Sequence, residues 1–407
     1  MSNAGIMDTG LRFDLFNLPA DYYDDPYPYL RALRQHDPVH PNADGSMLLT
    51  RYRDVQTVWR DNNGSVEKRA QFQRRFGEGP LLEHHTSTML FRDEPDHSRL
   101  RRIIDPLLRS TAVKRRQSMI EALVDRLIDA ALARERLDFV NDFALHIPMT
   151  VICDLLGVRV EDGPYLHEIG ARILFPLNPN VPTETIAAGH DAVVAFRAYL
   201  QPYFEAARAR ATPDDPSSAI EALVKAQAEG HISDEEMVHM CIILLNGGHE
   251  TTTNLLAGSL NALIDRPDVV ARIRTGADMK GVVEEMIRFI SPLQLQGRRT
   301  TRPVMLPSGS EIPSETEVVL CQASANRDET VFDHPDDIDI DRGPNHHVAF
   351  GLGGHLCIGR HLARLETAIA LPRLFNRFRS INRSGPARFR TNARFRGLEA
   401  LPIEVKA

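Results

Sequence analysis

HHVAFGLGGHLCIGRHLARLE, residues 346–366, places a lone cysteine, Cys357, in a glycine-rich segment that runs directly into a helical pattern. Two adjacent glycines precede the thiol and another glycine follows it two residues later. Glycine has no side chain beyond hydrogen and therefore lets the backbone approach a ligand closely. The segment predicts a cysteine that faces a bound group, followed by a helix from about Ile358 to Phe378.

The composition of the 407-residue chain is typical of a globular protein, with 43% hydrophobic and 25% charged residues. Its net charge of −7 argues against nucleic acid as a partner. The sequence has no apolar run of about 18 residues and no leader peptide, so we expect no membrane association and a cytoplasmic location. Four cysteines without a C-x-x-C pair are too few for a disulfide framework. Three of them have apolar neighbours and are expected to be buried and inert, namely Cys153, Cys241 and Cys321.

Helical patterns dominate the chain, most clearly between residues 97 and 230. Turn-rich stretches near residues 36–60 and 292–322 predict small β-sheets, and residues 71–92 have the composition of an irregular loop. There is no internal repeat and no low-complexity linker. We therefore expect a mainly α fold with small β-sheets that forms one domain over residues 1–407, with residues 1–10 disordered or derived from an expression tag.

A helix of about 30 residues is predicted to begin after Ser233, which forms a capping box with Glu236, and to end at Pro267. Its middle contains NGGHET, residues 246–251. Two glycines inside a helix cost about 1 kcal/mol each relative to alanine, and a buried glutamate is unfavourable unless its charge is satisfied. We expect this helix to pass through the core and to open locally against a flat bound group, with Glu250 and Thr251 available for proton transfer.

Three roles fit the surroundings of Cys357. A zinc site would need histidine partners, and the nearby ones are His346, His347, His355 and His361, although the usual paired spacings are absent. A nucleophilic thiolate would benefit from the helix N-terminus, with His355 as its base. A thiolate ligand of haem iron accounts for more neighbours, because the glycines would admit a flat macrocycle and the following amides could donate to the sulfur. In that role Phe350 would exclude water.

The segment FGLGGHLCIG matches the F-x-x-G-x-x-x-C-x-G signature of the cytochrome P450 family through Phe350, Gly353, Cys357 and Gly359. The long helix resembles the oxygen-binding helix of that family, whose usual pattern is A-G-x-[DE]-T. Residues 247–251 depart from the pattern only in having glycine for alanine at the first position. The resemblance implies the cytochrome P450 fold, with a long central oxygen-binding helix and small β-sheets.

Three further motifs follow the family order. EEMIR resembles the E-x-x-R motif through Glu285 and Arg288, and Arg342 resembles the third member of that buried structural network. DEPDHSRLRR is similar to the haem-contacting helix, which implies propionate contacts from His97 and Arg101. GRRTTRPVML resembles the strand that carries another propionate-binding arginine. We place that arginine at Arg298, or at Arg299 if a gap shifts the alignment, and His355 is the fourth expected propionate contact.

The resemblance implies a haem-thiolate monooxygenase that contains heme b ligated by Cys357, with Gly247 and Gly248 against the haem. It implies that O2 is activated with two electrons, that Thr251 and Glu250 deliver protons, and that a small organic substrate is hydroxylated or dealkylated. No G-x-G-x-x-G motif follows a strand, so we expect no bound flavin. The electrons would come from NAD(P)H through ferredoxin reductase and a ferredoxin-type donor. That donor would dock on a basic surface containing Arg102, Arg109, Arg360 and Arg364, and the protein would be a monomer.

Substrate contacts are expected from Ile243, Gly247 and Leu293, and from segments near residues 71–91, 173–182 and 293–296. RFRGLEALPIEV near the C-terminus is similar to the corresponding segment of family members that oxidise small aromatic acids. The candidate contacts to a carboxylate are Arg74, Arg75, His84 and His85. Alternative functions within the fold are a haem peroxygenase, a non-oxygenating haem-thiolate protein, or a haem sensor or carrier without turnover.

Overall fold

The computed structural model of the chain describes residues 13–60, 63–179, 181–210 and 215–407, so the expectation for residues 1–10 lies outside it. The α-helices are α1 (Ala20–Asp24), α2 (Tyr27–His36), α3 (Tyr52–Trp59), α4 (Arg69–Phe76), α5 (Pro80–Ser87), α6 (Asp96–Leu108), α7 (Ser110–Lys114), α8 (Gln117–Arg134), α9 (His146–Leu156), α10 (Gly163–Leu174), α11 (Thr183–Ala209), α12 (Ala219–Ala228), α13 (Asp234–Leu263), α14 (Pro267–Arg274), α15 (Met279–Ile290), α16 (Gln322–Ala325) and α17 (Arg360–Arg377). The mainly α prediction is confirmed.

The β-strands are short and form small sheets. They are β1 (Val39–Pro41), β2 (Met47–Leu49), β3 (Gly64–Ser65), β4 (Arg136–Asp138), β5 (Leu295–Thr300), β6 (Val304–Met305), β7 (Glu311–Ile312), β8 (Glu317–Cys321), β9 (Ser380–Arg383), β10 (Arg388–Phe389), β11 (Leu398–Ala400) and β12 (Pro402–Lys406). The largest sheet has the order β1-β2-β8-β5-β3, in which only β2 and β8 are parallel. Both β-rich intervals predicted from the sequence are therefore confirmed, and one sheet joins them.

The segment 71–92 is not an irregular loop, as its composition predicted, but contains most of α4, all of α5 and a 3-10 turn at Met89–Phe91. Phe72 and Phe76 lie one turn apart on α4, and their buried rings stack with centroids 5.2 Å apart. Gly77 and Gly79 have φ values of 71° and 125° and separate the two helices. Tertiary packing of the aromatic face stabilises helices that would be too short to persist alone.

Helix α13 begins with the predicted capping box of Ser233 and Glu236 and runs for 30 residues. It ends at Leu263, shortly before Pro267, which is the first residue of α14. The helix is continuous through residues 246–251, so the predicted local opening is not present. Gly248 instead allows close helix packing, since an added Cβ would lie 2.5 Å from Ile152 Cδ1 on α9.

The core is built around α13, which packs against α9, α10, α12, α15 and α17. The interior positions predicted for Cys153, Cys241 and Cys321 are confirmed, because all three are buried. Burial raises the pKa of the Cys153 and Cys321 thiols to about 12, which keeps both protonated and inert at neutral pH. The buried contact between α13 and α17 brings the middle of the long helix opposite the segment that contains Cys357.

Glu366 on α17 is fully buried, and neither of its carboxylate oxygens has a hydrogen-bond partner among the described residues. Burial raises its pKa well above the ordinary value. The folded state therefore keeps a proton that the unfolded chain releases once the pH rises above about 4.5, and the protein loses stability as the pH increases through this range. We expect Glu366→Gln to raise the free energy of unfolding by about 1–3 kcal/mol at pH 8.

The same substitution should have little effect on stability at pH 4.5, where the unfolded chain also keeps about half of this proton and the linked free energy is only about 0.4 kcal/mol. Urea denaturation of both proteins at the two pH values measures the difference. A Glu366→Gln variant that is less stable than the parent at pH 8 would show that the carboxylate is ionised and satisfied in the folded protein.

Candidate active site

A cavity of about 1050 Å³ lies between the middle of α13 and the segment that precedes α17. From α13 it is lined by Ile243, Asn246, Gly247, Gly248, Thr251 and Thr252. From the opposite side it is lined by Phe350, His355, Cys357, Gly359 and Leu362. The structure thus brings the two most distinctive sequence motifs to opposite walls of one cavity, although nearly 100 residues separate them.

The Cys357 loop is held by its own backbone. The Cys357 N–H donates to the Phe350 carbonyl at 2.9 Å, and the Gly359 N–H donates to the thiol sulfur. Gly353 has a φ of 71°, and a Cβ at this position would lie 3.1 Å from the Trp59 carbonyl, so only glycine fits without strain. A Cβ added at Gly359 would lie 4.0 Å from the Cys357 sulfur, which is an ordinary van der Waals contact. The contribution of Gly359 is therefore mainly its N–H group.

The sulfur of Cys357 lies deep in the protein, but the residue is partly accessible from the cavity. Burial raises the pKa of the thiol, whereas the Gly359 N–H and the guanidinium groups of Arg101, Arg360 and Arg364 lower it, and the net shift is upward. The thiolate thus has several donors and cations around it but needs a further positive partner to be stable. A metal ion bound at the sulfur would provide that charge.

Four basic side chains lie along one edge of the cavity, namely His97, Arg101, Arg298 and His355. Arg101 donates to the carbonyls of Gly354 and Leu356 at 3.2 and 2.8 Å, and Arg298 donates to the Gly297 carbonyl at 2.9 Å. The rings of His97 and His355 pack with centroids 4.0 Å apart. Burial, together with the adjacent His97, Arg298 and Arg101, lowers the pKa of His355 to about 3.

Arg298 and Arg299 point in different directions. Arg298 is buried at the cavity edge, and burial lowers its pKa to about 10. Arg299 forms an ion pair with Glu315 and does not line the cavity. Of the two residues that the sequence left open, Arg298 is the one placed to meet a group inside the cavity.

A planar macrocycle with acidic groups at one edge fits this arrangement. Gly247 lines the same cavity as Cys357 and has no atom within 4 Å of an added Cβ, so α13 leaves open space there. Within the described residues neither Arg101 nor Arg298 forms an ion pair with a protein carboxylate, so both remain available for an acidic ligand. The zinc alternative finds no support, because the compact metal-capable groups in the described ranges are His167-His249-Glu250 and Glu83-Glu235-His239, and neither contains Cys357.

The structure separates Glu250 from Thr251. Thr251 lines the main cavity and donates its hydroxyl to the Gly247 carbonyl at 3.2 Å. Glu250 instead lines a second cavity of about 330 Å³ and forms a 2.5 Å ion pair with Arg390. Arg390 was missed in the sequence analysis because nothing in the local sequence indicates a partner 140 residues from Glu250. The two side chains project from different faces of α13, about 100° apart as neighbours in an α-helix must be, and line different cavities.

One buried network is formed by Glu285, Arg288 and Arg342, the three residues that the sequence analysis placed together. Arg288 donates to both carboxylate oxygens of Glu285 at 2.7 and 2.8 Å, and Arg342 donates to Glu285 at 3.2 Å. Arg288 also donates to the carbonyls of Asn326, Pro335 and Asp337. Glu285 and Arg288 have no exposed surface, and the network fixes the loop that leads to the cysteine segment.

The family model for cytochrome P450 matches residues 39–280 and 278–393, which is most of the chain. The chain belongs to the cytochrome P450 family. Relatives in this family are named monooxygenases, so the protein is a cytochrome P450 monooxygenase, an oxidoreductase whose haem is held by a cysteine thiolate. Its reaction requires a substrate, O2 and a redox partner. The predicted family and fold are confirmed.

Similar proteins match this P450 over nearly its whole length. The biotin biosynthesis cytochrome P450 of Bacillus subtilis is 31% identical over 396 residues, covering 94% of this chain and 97% of that protein. The cytochrome P450 monooxygenase PikC of Streptomyces venezuelae is 34% identical over 405 residues, covering 96% of this chain and 93% of that protein. The crystal structure of P450BioI with a hexadec-9Z-enoic acid ligated acyl carrier protein has a TM-score of 0.89 at 28% identity, covering 95% of this chain and 100% of that chain.

No helix in the described parts of this P450 combines the length and apolar character needed to cross a bilayer.

The main cavity is lined by the expected substrate contacts Ile243, Gly247 and Leu293, and also by Arg74 and Arg75. His84 and His85 do not line it, although the sequence analysis proposed them as carboxylate contacts. Both are fully buried, and burial lowers the pKa of His85 to about 3, so neither offers a positive charge to a ligand. Arg394 also lines the cavity and was missed.

Proposed function

We propose that this P450 hydroxylates or dealkylates a small organic substrate in the main cavity, using electrons from a ferredoxin-type donor. The observation that carries the proposal is the presence of Cys357, the basic edge and Thr251 around one cavity. When bound, the haem supplies the activation of O2 and the insertion of one oxygen atom into the substrate. The protein's own residues position the reactants and control their protons.

Cys357 would hold the iron through Sγ, and the Gly359 N–H would tune the thiolate by donating to it. Phe350 and Gly353 shape the loop on the sulfur side, where Phe350 also packs 4.7 Å from the Arg364 guanidinium. Arg101 and Arg298, with His97 and His355, would bind the haem propionates, since arginine can donate two parallel hydrogen bonds to a carboxylate. Gly247 and Gly248 would lie over the opposite haem face.

Thr251 is the residue placed to control protons in the main cavity. Its hydroxyl donates to the Gly247 carbonyl, so its oxygen remains free to accept a further hydrogen bond from water or substrate. Glu250 would supply protons from the second cavity, where its ion pair with Arg390 orients it. In this arrangement Glu250 collects protons from solvent, and Thr251 orients the last donor.

Thr251→Ala should uncouple electron use from product formation. Loss of the hydroxyl removes the group that orients the proton donor, so NAD(P)H consumption should continue while product per electron falls about 10-fold or more and hydrogen peroxide accumulates. Thr251→Ser, which keeps the hydroxyl, serves as the matched control and should stay largely coupled. Unchanged product yield per NAD(P)H in the alanine variant would contradict the role of Thr251.

The donor would dock on the Cys357 side of the protein, where exposed arginines can attract an acidic partner. Arg102 and Arg109 are exposed there, although Arg109 also pairs with Asp105 at 3.0 Å. Arg360 is half-buried and donates to the Cys357 carbonyl. Arg364 is engaged by Glu284 at 2.6 Å and adds little net charge to the expected surface.

We propose that no flavin is bound and that residues 1–407 act as one domain.

Turnover with separate partners tests the proposed function. Haem-loaded protein, a ferredoxin, its reductase and NAD(P)H should convert a bound substrate to a product that carries one atom from 18O-labelled O2. Product formation that depends on hydrogen peroxide and ignores the electron donor would instead identify a peroxygenase.

A further inference from the structure

Arg75 on α4 and Arg394, which lies between β10 and β11, are two cations that line the main cavity away from the expected propionate contacts. Nη2 of Arg75 and Nε of Arg394 are shielded from solvent, and neither atom has a hydrogen-bond partner within the described residues. Buried donors of this kind are nearly always satisfied in native proteins, so two guanidinium groups that line a cavity and each keep an unpaired buried nitrogen require an explanation.

The protein's own acids do not neutralise this pair. Asp44 is the acidic group that acts on Arg75, but its Oδ1 already accepts the backbone N–H and the hydroxyl of Ser46, at 2.9 and 2.6 Å. Glu317, another acid of the lining, is bonded to Lys68. Burial, together with the positive charges of Arg75 and Arg298, lowers the pKa of Arg394 to about 10. Two half-buried like charges therefore lie in each other's field, and among the described residues neither forms an ion pair with a protein carboxylate.

The backbone holds Arg394 in place beside the substrate region. Its carbonyl accepts the Gln294 N–H at 2.8 Å, and its own N–H donates to Asn392 Oδ1 at 3.0 Å. Leu293, an expected substrate contact, pairs with Phe395 through an isolated β-bridge. The backbone of Arg394 is thus fixed to the same loop that contacts the substrate, and little backbone freedom would be lost when a ligand binds there.

The surfaces around the two arginines are apolar and aromatic. Phe72, Phe91 and Phe395 line the cavity together with Leu174 and Leu177. The cations therefore border a volume suited to hydrocarbon or aromatic rings, not to a fully polar ligand. The nearby His85 is neutral at physiological pH, so the positive charge of this part of the cavity comes from the guanidinium groups.

We propose that Arg75 and Arg394 form a carboxylate-binding subsite, so that the substrate is an organic acid with an apolar, ring-sized body. This inference rests on the proposed monooxygenase function and specifies its substrate class. The carboxylate would occupy the position between the two guanidinium groups, whose planar donors suit bidentate binding. The apolar end of the acid would then extend toward Thr251 and the Cys357 side of the cavity.

Matched acid and amide ligands test the subsite in the haem-loaded full-length protein. We expect 4-methoxybenzoate to bind more tightly than 4-methoxybenzamide by at least about 10-fold, measured by the low-to-high-spin shift and independently by calorimetry. Arg394→Gln and Arg75→Gln should each weaken binding of the acid by about 10- to 100-fold and leave binding of the amide within about 2-fold. Arg388→Gln, on the same hairpin but exposed and outside the cavity lining, is the matched control and should change neither affinity.

Equal affinity for the acid and the amide in the parent protein would overturn the proposal. Loss of haem from the Arg75 and Arg394 variants, with unchanged acid affinity in the molecules that keep it, would overturn it too and would assign both arginines to the propionates. A failure of the proposed function has a different signature. In that case the acid binds and depends on both arginines, but no product forms with ferredoxin, reductase and NAD(P)H.

Discussion

Cys357→Ser should abolish the long-wavelength Soret band of the reduced carbon monoxide complex and, with it, all turnover that depends on NAD(P)H. The hydroxyl of serine ionises far less readily than a thiol and is a poorer donor to iron, so the electron donation that favours O–O cleavage would be lost. The structure places Sγ on the cavity wall, where the Gly359 N–H and three guanidinium groups surround it. Spectra of the dithionite-reduced, carbon monoxide-treated protein measure the loss.

Cys321→Ser provides the matched control for this experiment. Its sulfur also accepts backbone N–H groups, from Ser324 and Ala323, but it lies in the core and outside the cavity lining. This variant should keep the long-wavelength band and most of the activity. If Cys357→Ser kept the band, Cys357 could not be the iron ligand, whatever the sequence signature indicates.

Glu285→Ala should lower the free energy of unfolding by about 3–5 kcal/mol, because it leaves Arg288 buried without its carboxylate. This loss is a large part of the roughly 5–15 kcal/mol typical of a folded protein, so we expect reduced yield and haem loss during purification. The backbone acceptors of Arg288 remain in the variant, but they cannot neutralise its charge. Urea denaturation of the haem-loaded protein, followed by circular dichroism and by the Soret band, measures the effect.

Two companion variants make the stability prediction specific. Glu285→Gln retains an acceptor oxygen for Arg288 and should be destabilised by less than the alanine variant. Glu399→Ala removes one member of an exposed pair with Arg388, with 3.5 Å between the charged atoms, and should cost at most about 1 kcal/mol. A Glu285→Ala protein as stable as Glu399→Ala would contradict the structural role of the network.

The long helix and the cysteine loop could be predicted because their signals are local. Ser233 and Glu236 cap α13 within one turn of each other, and the glycines around Cys357 lie within a few residues of the thiol. Residues 71–92 were predicted wrongly because α4 and α5 depend on aromatic packing against the rest of the core, which short-range composition does not encode. Local sequence therefore identifies the haem-facing chemistry better than it identifies the walls of the cavity.

The contacts that depend on the folded chain could not be predicted from motifs. Arg390 reaches Glu250 from the C-terminal hairpin, and Arg394 reaches the neighbourhood of Arg75 from the same hairpin. No periodicity or spacing links such distant positions. The directions of Arg298 and Arg299 follow from strand alternation in β5, which sends successive side chains to opposite faces, but which face is inward becomes clear only in the assembled sheet.

Glu250 and Thr251 lie on different faces of α13 and line different cavities, so this helix is part of the partition between two compartments. Leu174 and Phe395 line both cavities and complete the wall. Under the proposed mechanism, substrate occupies one compartment while protons enter through the other. A substrate that fills the larger compartment and expels its water would then leave the proton supply intact, so tight substrate packing and efficient use of electrons need not oppose each other in this enzyme.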